Sequence, residues 1–362
     1  MSRLGVVFLI WLLVVAPAAP AVDRVVVVGD VHGDYERFKE VLRMSGVVDA
    51  KGKWSGGKAH LVQMGDVVDR GPDSKKVLDL IPELANQARR AGGQVHALIG
   101  NHEAMNIYGD LRYVHPGEFA AFRTSNSAEI RDNFFQQFAE ANGKKPDRAK
   151  WDAEHPLGWF EHRYEFGPKG KYGKWIRGNP AMLKLDDTLF VHAGISPKYA
   201  DFTIEAVNQR VREELEDFAK LEGGMVMDQE GPLWYRGLAD GSERELETHL
   251  AAVLQFHGVK RIVVGHTVNP GAVGARFGAR VILADVGLSQ SYGGPPACVV
   301  IEQGKPLALH RGGKLELPEG SGSGLLRYLR QAAALDPKPS PLEPRIAALE
   351  GAQRAAAASA VR

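Results

Sequence analysis

A chain of 362 residues, 44% of them apolar and 25% charged, has globular composition and is long enough for one large domain or two smaller ones. Its 45 basic and 44 acidic residues nearly cancel, which excludes the electrostatic footprint of a nucleic-acid or anionic-membrane binder. No period of roughly 20–50 residues recurs, so no solenoid is expected.

Residues 1–21 stand apart. Arg3 supplies a positive start, Gly5 to Ala16 is an almost unbroken apolar run, and Ala19-Pro20-Ala21 offers the small residues of a cleavage site. The run falls short of the ~20 residues that span a bilayer, and Pro17, Pro20, Asp23 and Arg24 block its extension. We read 1–21 as a secretory signal peptide, with an uncleaved anchor or a buried helix as the competing readings. The expectation is an exported protein, periplasmic or secreted, with no stable membrane span after cleavage. Cleavage removes one arginine and no acid, leaving 44 bases against 44 acids.

The first element past that segment is Arg24-Val-Val-Val-Val-Gly29, which runs into Asp30-Val-His32-Gly33. Phe38, Val41 and Leu42 then follow Asp34 at helical spacing. His60-Leu-Val-Gln-Met runs into Gly65-Asp66, and Pro72 and Asp73 open a second helical pattern that Pro82 should kink or end. Gln94-Val-His-Ala-Leu-Ile runs into Gly100-Asn101-His102-Glu103. From about 106 to 177 the chain is aromatic and charged with weaker periodicity, which we take as a mostly helical insertion walling the site. Thr188-Leu-Phe-Val runs into His192-Ala-Gly194. Ser242 opens a helix with a capping box, and Arg261-Ile-Val-Val runs into Gly265-His266. Cys298, the single cysteine, lies in an apolar run and reads as a small buried hydrophobe. Residues 331–362 are rich in Ala, Pro and charge and read as a disordered tail with at most one frayed helix. The domain proper is then 22–330.

Short β-branched runs without alternation suit strands buried on both faces. Their alternation with helical patterns gives an α/β class, in which ligands sit beyond the carboxyl ends of the strands. Five times over, such a run ends in a glycine and a polar residue able to bind metal.

Asp30 and His32 lie two apart at a strand end and project to the same side, so they can share one ion. A carboxylate such as Asp66 has two oxygens and can bridge two ions. Asn101, His192 and His266 add an amide oxygen and two imidazoles, a set suited to Mn, Fe or Zn rather than to a structural zinc site. Arg70 and Arg236 offer guanidinium forks for phosphate oxygens. His102 is placed to protonate a leaving oxygen, with Asp69 to orient it. Any one of these alone would be an ordinary solvated loop; the ensemble is what points to a site. His96, His115 and His155 are tied to no strand end and receive no role.

These residues resemble the phosphoprotein phosphatase branch of the calcineurin-like metallophosphoesterases. The matching motifs are Gly29-Asp-Val-His-Gly33, Gly65-Asp-Val-Val-Asp-Arg-Gly71, Gly100-Asn-His-Glu103, His192-Ala-Gly194, Arg236-Gly237 and His266. Within it, the Shewanella-like bacterial-type subgroup is nearest, by Gly100 to Val114, the long insertion, and Asp285-Val-Gly-Leu-Ser289 before Tyr292-Gly-Gly294. The resemblance implies a metallophosphatase β-sandwich flanked by helices. It implies a first ion on Asp30, His32 and Asp66, and a second on Asp66, Asn101, His192 and His266. It also implies phosphate held by Arg70 and Arg236, and His102 as acid with Asp69 behind it. The substrate expected is a phosphorylated protein or a small phosphoester, hydrolysed by a hydroxide shared between two metal ions. Ala193, where eukaryotic serine/threonine phosphatases usually carry glycine, leaves phosphotyrosine open beside phosphoserine and phosphothreonine. The competing enzymatic reading is a dinucleoside-polyphosphate or nucleotide hydrolase, and the non-enzymatic one a phosphoprotein-binding pseudo-enzyme. Selectivity is expected from the aromatic residues Tyr108, Tyr113, Phe119, Trp151, Trp159 and Phe160.

Overall fold

The five motif-bearing runs all form strands, and they divide between two sheets. The computed structural model describes residues 21–320 and 322–360, so the expected signal segment, Ala21 apart, lies outside the described residues. The strands are β1 (Arg24–Val28), β2 (His60–Gln63), β3 (Gln94–Ala97), β4 (Met182–Leu185), β5 (Thr188–Val191) and β6 (Arg261–Val264). They continue with β7 (Gly274–Arg276), β8 (Val281–Leu283), β9 (Ala297–Glu302), β10 (Lys305–His310) and β11 (Gly313–Glu316). One sheet has the order β11-β10-β9-β1-β2-β3 and the other β4-β5-β6-β8-β7. In the first, β1, β2 and β3 are parallel while β9, β10 and β11 pair antiparallel. In the second, β5, β6 and β8 are parallel between antiparallel edges β4 and β7.

The helices before the insertion are α1 (Tyr35–Met44), α2 (Ser74–Arg90) and α3 (Asn101–Tyr108). The insertion is helical as expected, with α4 (Pro116–Ala121), α5 (Ser127–Asn142), α6 (Arg148–Glu154), α7 (Trp159–Phe166) and α8 (Lys171–Gly178). After it come α9 (Ile204–Glu216), α10 (Gly237–Asp240), α11 (Glu243–His257), α12 (Ser323–Leu335) and α13 (Glu343–Ala360). Two sheets flanked by helices agree with the fold that the resemblance implies.

Burial explains the strand sequences. Val25 to Val28, Leu189 to Val191 and Ile262 to Val264 are all buried, because each strand is covered on both faces. Cys298 on β9 is fully buried and free, as its neighbours suggested. Pro82 does not end its helix: α2 runs on to Arg90, held by the buried face of Val77, Leu78, Ile81, Leu84 and Ala88. Here tertiary packing outweighs the local cost of proline.

The six parallel strands of the two sheets deliver their carboxyl ends to one seam. A Cβ built on Gly29, at the end of β1, would meet Ala284 O at 2.5 Å and Asp285 Cα at 2.8 Å, at the end of β8 in the other sheet. The backbones touch there, and only glycine permits it.

The reading of this C-terminal stretch as disordered is corrected over its described residues, 331–360. The chain is helical through Leu335 and again from Glu343, and Leu342 between them is 1% exposed. Asp336 accepts from His310 Nε2 at 2.9 Å, from Arg311 Nε at 2.7 Å and from Ser340 Oγ at 2.7 Å, tying the segment to the end of β10. Arg345 Nη1 reaches Asn269 Oδ1 at 3.2 Å. The composition misleads because alanine packs closely without an apolar stripe: Ala332 and Ala333 are buried beside Tyr328 and Leu329. No described helix is long and apolar enough to cross a membrane.

Candidate metal centre

Each expected ligand leaves the carboxyl end of a strand: Asp30 and His32 after β1, Asp66 after β2, Asn101 after β3, His192 after β5 and His266 after β6. The backbone bends sharply at these places. His32, Asp66 and His266 have φ of 46°, 51° and 62°, and Asp69 and Arg70 have 71° and 65°. Left-handed conformations at such residues cost on the order of 1–3 kcal/mol each and mark functional sites. Gly65, with φ 97°, sits where a Cβ would lie 2.7 Å from Gly100 Cα and 2.8 Å from His192 Nδ1. Its lack of a side chain lets ends of both sheets converge.

The convergence is tight. Ligand atoms of Asp66, His192 and His266 all lie within 4.8 Å of one another, and so do those of His32, Asp66 and His102. His192 Nε2 is 3.4 Å from Asp66 Oδ1 and 3.0 Å from Asn101 Oδ1. His32 Nε2 is 3.8 Å from Asp66 Oδ2. Asp66 is therefore shared by both groups. Asp30 sits beside them rather than within either: its two oxygens each lie 3.1 Å from the His266 amide, which donates to them. All six expected ligands are buried.

These residues fit a metal pair on their own chemistry. His32 Nδ1 is 3.0 Å from Val68 O and His192 Nδ1 is 2.8 Å from Met64 O, which turns both Nε2 atoms toward Asp66. His266 Nε2 is buried with no hydrogen-bond partner. Burial draws His32 down to about 3 and His266 to about 2, keeping both neutral, the form that ligates. Burial also pushes Asp30 well above the ordinary carboxylate range, and Asp285 and Asp66 add repulsion. Asp285 is pushed up to about 6, by burial first, with Asp66 adding repulsion. Burial opposes ionisation of Asp66 too, but His192, His102 and His32 outweigh it and hold that group well below its usual range. Crowded buried carboxylates beside His32 and His266, two imidazoles kept neutral, are what a cation relieves.

The expected acid and clamp residues stand at the edge of this cluster. His102 Nδ1 is 2.5 Å from Asp69 Oδ2, which leaves Nε2 facing Asp66 Oδ2 at 3.9 Å. Burial works to lower His102, but Asp66 and Asp69 prevail and raise it above its ordinary value. Arg70 Nε is buried without a hydrogen-bond partner. Arg236 is exposed, anchored through Nη1 to His266 O at 2.9 Å and Thr267 Oγ1 at 3.1 Å.

Three supporting residues were not assigned roles from the sequence. Glu103 accepts from the amides of Asp66 at 2.8 Å, Val67 at 2.7 Å and Gly100 at 2.7 Å, which fixes the Asp66 turn. Asn106 Nδ2 donates to Asp69 Oδ1 at 2.8 Å. Asp285 follows β8 as Asp66 follows β2, and is a third strand-end aspartate, at a sixth strand end that the three-residue strand concealed. Of the aromatic residues expected to confer selectivity, Tyr113 stands beside the site, its ring 5.2 Å from that of His102. Trp151, Trp159 and Phe160 instead pack with His155, and Phe119 packs on His162.

The chain belongs to the calcineurin-like phosphoesterases, whose family pattern matches residues 23–270. An uncharacterised protein of Schizosaccharomyces pombe is 34% identical over 295 residues, 76% of each chain. Shewanella-like protein phosphatase 2 of Arabidopsis thaliana is 28% identical over 286 residues, 74% of this chain and 72% of that one. Among solved structures, a cold-active protein-tyrosine phosphatase of a psychrophilic Shewanella superposes with a TM-score of 0.64 at 28% identity, covering 82% of this chain and 81% of its own. The resemblance read from the motifs is thus borne out, and with it the class of metal-dependent phosphatases.

Proposed function

We propose that the chain is a protein phosphatase that hydrolyses phosphate monoesters on phosphotyrosine or on phosphoserine and phosphothreonine. The observation that carries this is the seam itself. Asp66 is shared by two donor groups, and the Asp69–His102 pair is aimed at it from the side. The likeness to a protein-tyrosine phosphatase and to Shewanella-like protein phosphatases supports a phosphoprotein substrate.

Asp30, His32 and Asp66 would hold one ion, and Asp66, Asn101, His192 and His266 a second, with Mn, Fe or Zn as the ions suited to these donors. A bound pair supplies Lewis acidity toward the phosphoryl group and its attacking water. The protein's own groups do the rest. Arg70 and Arg236 bind the phosphoryl oxygens. His102 holds a proton at Nε2 for the departing oxygen, and Asp69 fixes the ring through Nδ1. Glu103 keeps the Asp66 turn from relaxing.

The test is hydrolysis of phosphotyrosine and phosphoserine peptides by chelated protein after Mn, Fe or Zn is added back. A dinucleoside polyphosphate is run in parallel. Phosphopeptide turnover that disappears in Asp66→Asn is the expected result. Cleavage of the phosphoanhydride alone would give the nucleotide-hydrolase reading instead. We further propose export, supported by the charged start and apolar run of 1–21. Recovery of the full-length protein only in the cytosolic fraction would contradict it.

A further inference from the structure

The Arg70 guanidinium carbon lies 4.7 Å from the centroid of the Tyr113 ring and 5.3 Å from that of Tyr292. The rings come from different segments, Tyr113 from the start of the insertion and Tyr292 from the connection between β8 and β9. Each also reaches a site imidazole: Tyr113 that of His102 at 5.2 Å, and Tyr292 that of His32 at 5.5 Å. The backbone is fastened in the same way, since the Arg70 amide donates to Tyr113 O at 2.9 Å and Ser291 Oγ donates to Arg70 O at 3.4 Å. Arg70 Nε is buried without a hydrogen-bond partner, and the guanidinium it belongs to lies against two ring faces.

We propose that Tyr113 and Tyr292 are positioning residues that hold the Arg70 guanidinium over the metal-ligand cluster, so that the phosphate clamp is set before substrate arrives. The physical reason is the attraction of a cation to an aromatic face, which is available to tyrosine and phenylalanine alike. A long, flexible side chain confined by two rings loses its freedom in advance, and less remains to be lost on binding. Two consecutive left-handed residues, Asp69 and Arg70, need such support from their surroundings. The insertion thereby acts on phosphate binding through one tyrosine.

The inference rests on the reading of Arg70 as a phosphate-binding residue. It is tested on the metal-loaded full chain with p-nitrophenyl phosphate and glycerol 3-phosphate as substrates, metal content being measured for each variant. Tyr113→Leu and Tyr292→Leu should each raise KM about two- to fivefold on both substrates, with kcat changed less. Tyr113→Phe and Tyr292→Phe should restore wild-type values. In an Arg70→Ala background the leucine substitutions should add nothing, since the group they position is gone. Persistence of their full effect without Arg70, phenylalanine variants as impaired as leucine ones, or a loss confined to the aryl ester would each overturn the proposal. Failure of the wild-type protein to hydrolyse either ester would instead overturn the phosphatase reading beneath it.

Discussion

Asp69 Oδ2 lies 2.5 Å from His102 Nδ1, with both side chains buried and the second Asp69 oxygen taken by Asn106 Nδ2 at 2.8 Å. The imidazole therefore has one orientation, with Nε2 toward Asp66. A group held this way matters most when the leaving oxygen is a poor one. His102→Asn should slow an alkyl phosphate by on the order of 10²–10⁴-fold and an aryl phosphate much less. Asp69→Asn should fall between that variant and wild type. Steady-state kcat on p-nitrophenyl phosphate and glycerol 3-phosphate decides it, and equal losses on both would remove His102 from the acid role.

The seam gives a second prediction. A Cβ on Gly29 would meet backbone atoms of Ala284 and Asp285 at 2.5–2.8 Å, and backbone cannot rotate aside as a flexible side chain would. Gly29→Ala should force the two sheets apart where Asp30 and Asp285 meet, costing ~3 kcal/mol or more. Metal retention should fall with it. Thermal unfolding and metal stoichiometry of the variant check both; an unchanged Tm with full metal content would show that the seam yields freely.

What the sequence disclosed, and what it hid, follows from range. Asp30, Asp66, Asn101, His192 and His266 were legible because each ends a run of apolar residues long enough to read as a strand. Asp285 was not, since β8 offers only three residues, and its partner Asp30 lies far away along the chain. The strand runs announced burial on both faces, but the division of β1–β3 from β5, β6 and β8 depends on pairings between distant segments. Glu103 was visible as a letter; beyond its local cap on the Gly100 amide, its bonds to the Asp66 and Val67 amides exist only once the end of β2 lies beside the start of α3. Arg70 could be picked out as the expected clamp, whereas its two tyrosine neighbours come from loops without periodicity.

The C-terminal segment, which composition alone marked as a tail, yields a third prediction. Leu342 is 1% exposed, and its Cδ2 would lie 2.8 Å from a Cβ at Gly271, so it fills the surface of the second sheet's loop. Leu342→Ala should destabilise the protein by about 2–5 kcal/mol. Denaturant unfolding measures this directly, and a tail free of the domain would show no change.

His162 gives a pH dependence whose sign is fixed by its surroundings. It is fully buried, neither ring nitrogen has a hydrogen-bond partner, and it stacks on Phe166 at 4.4 Å with Phe119 and Phe122 edge-on at 5.2 and 5.1 Å. Burial among these rings draws it from 6.5 down to about 3. Below pH 6.5 the unfolded chain takes up a proton that the folded chain refuses until about pH 3. Stability is therefore full above 6.5 and falls as pH drops through that window, by up to roughly 1.4 kcal/mol per unit. His162→Phe keeps an aromatic ring in the same packing and removes the titration. Its Tm should exceed that of wild type by a margin that widens between pH 7.5 and pH 5, where the two proteins differ in stability by roughly 2 kcal/mol. Calorimetric scans of the two proteins at both pH values are the measurement. Parallel curves would mean that solvent reaches His162 and that the aromatic heart of the insertion is not closed.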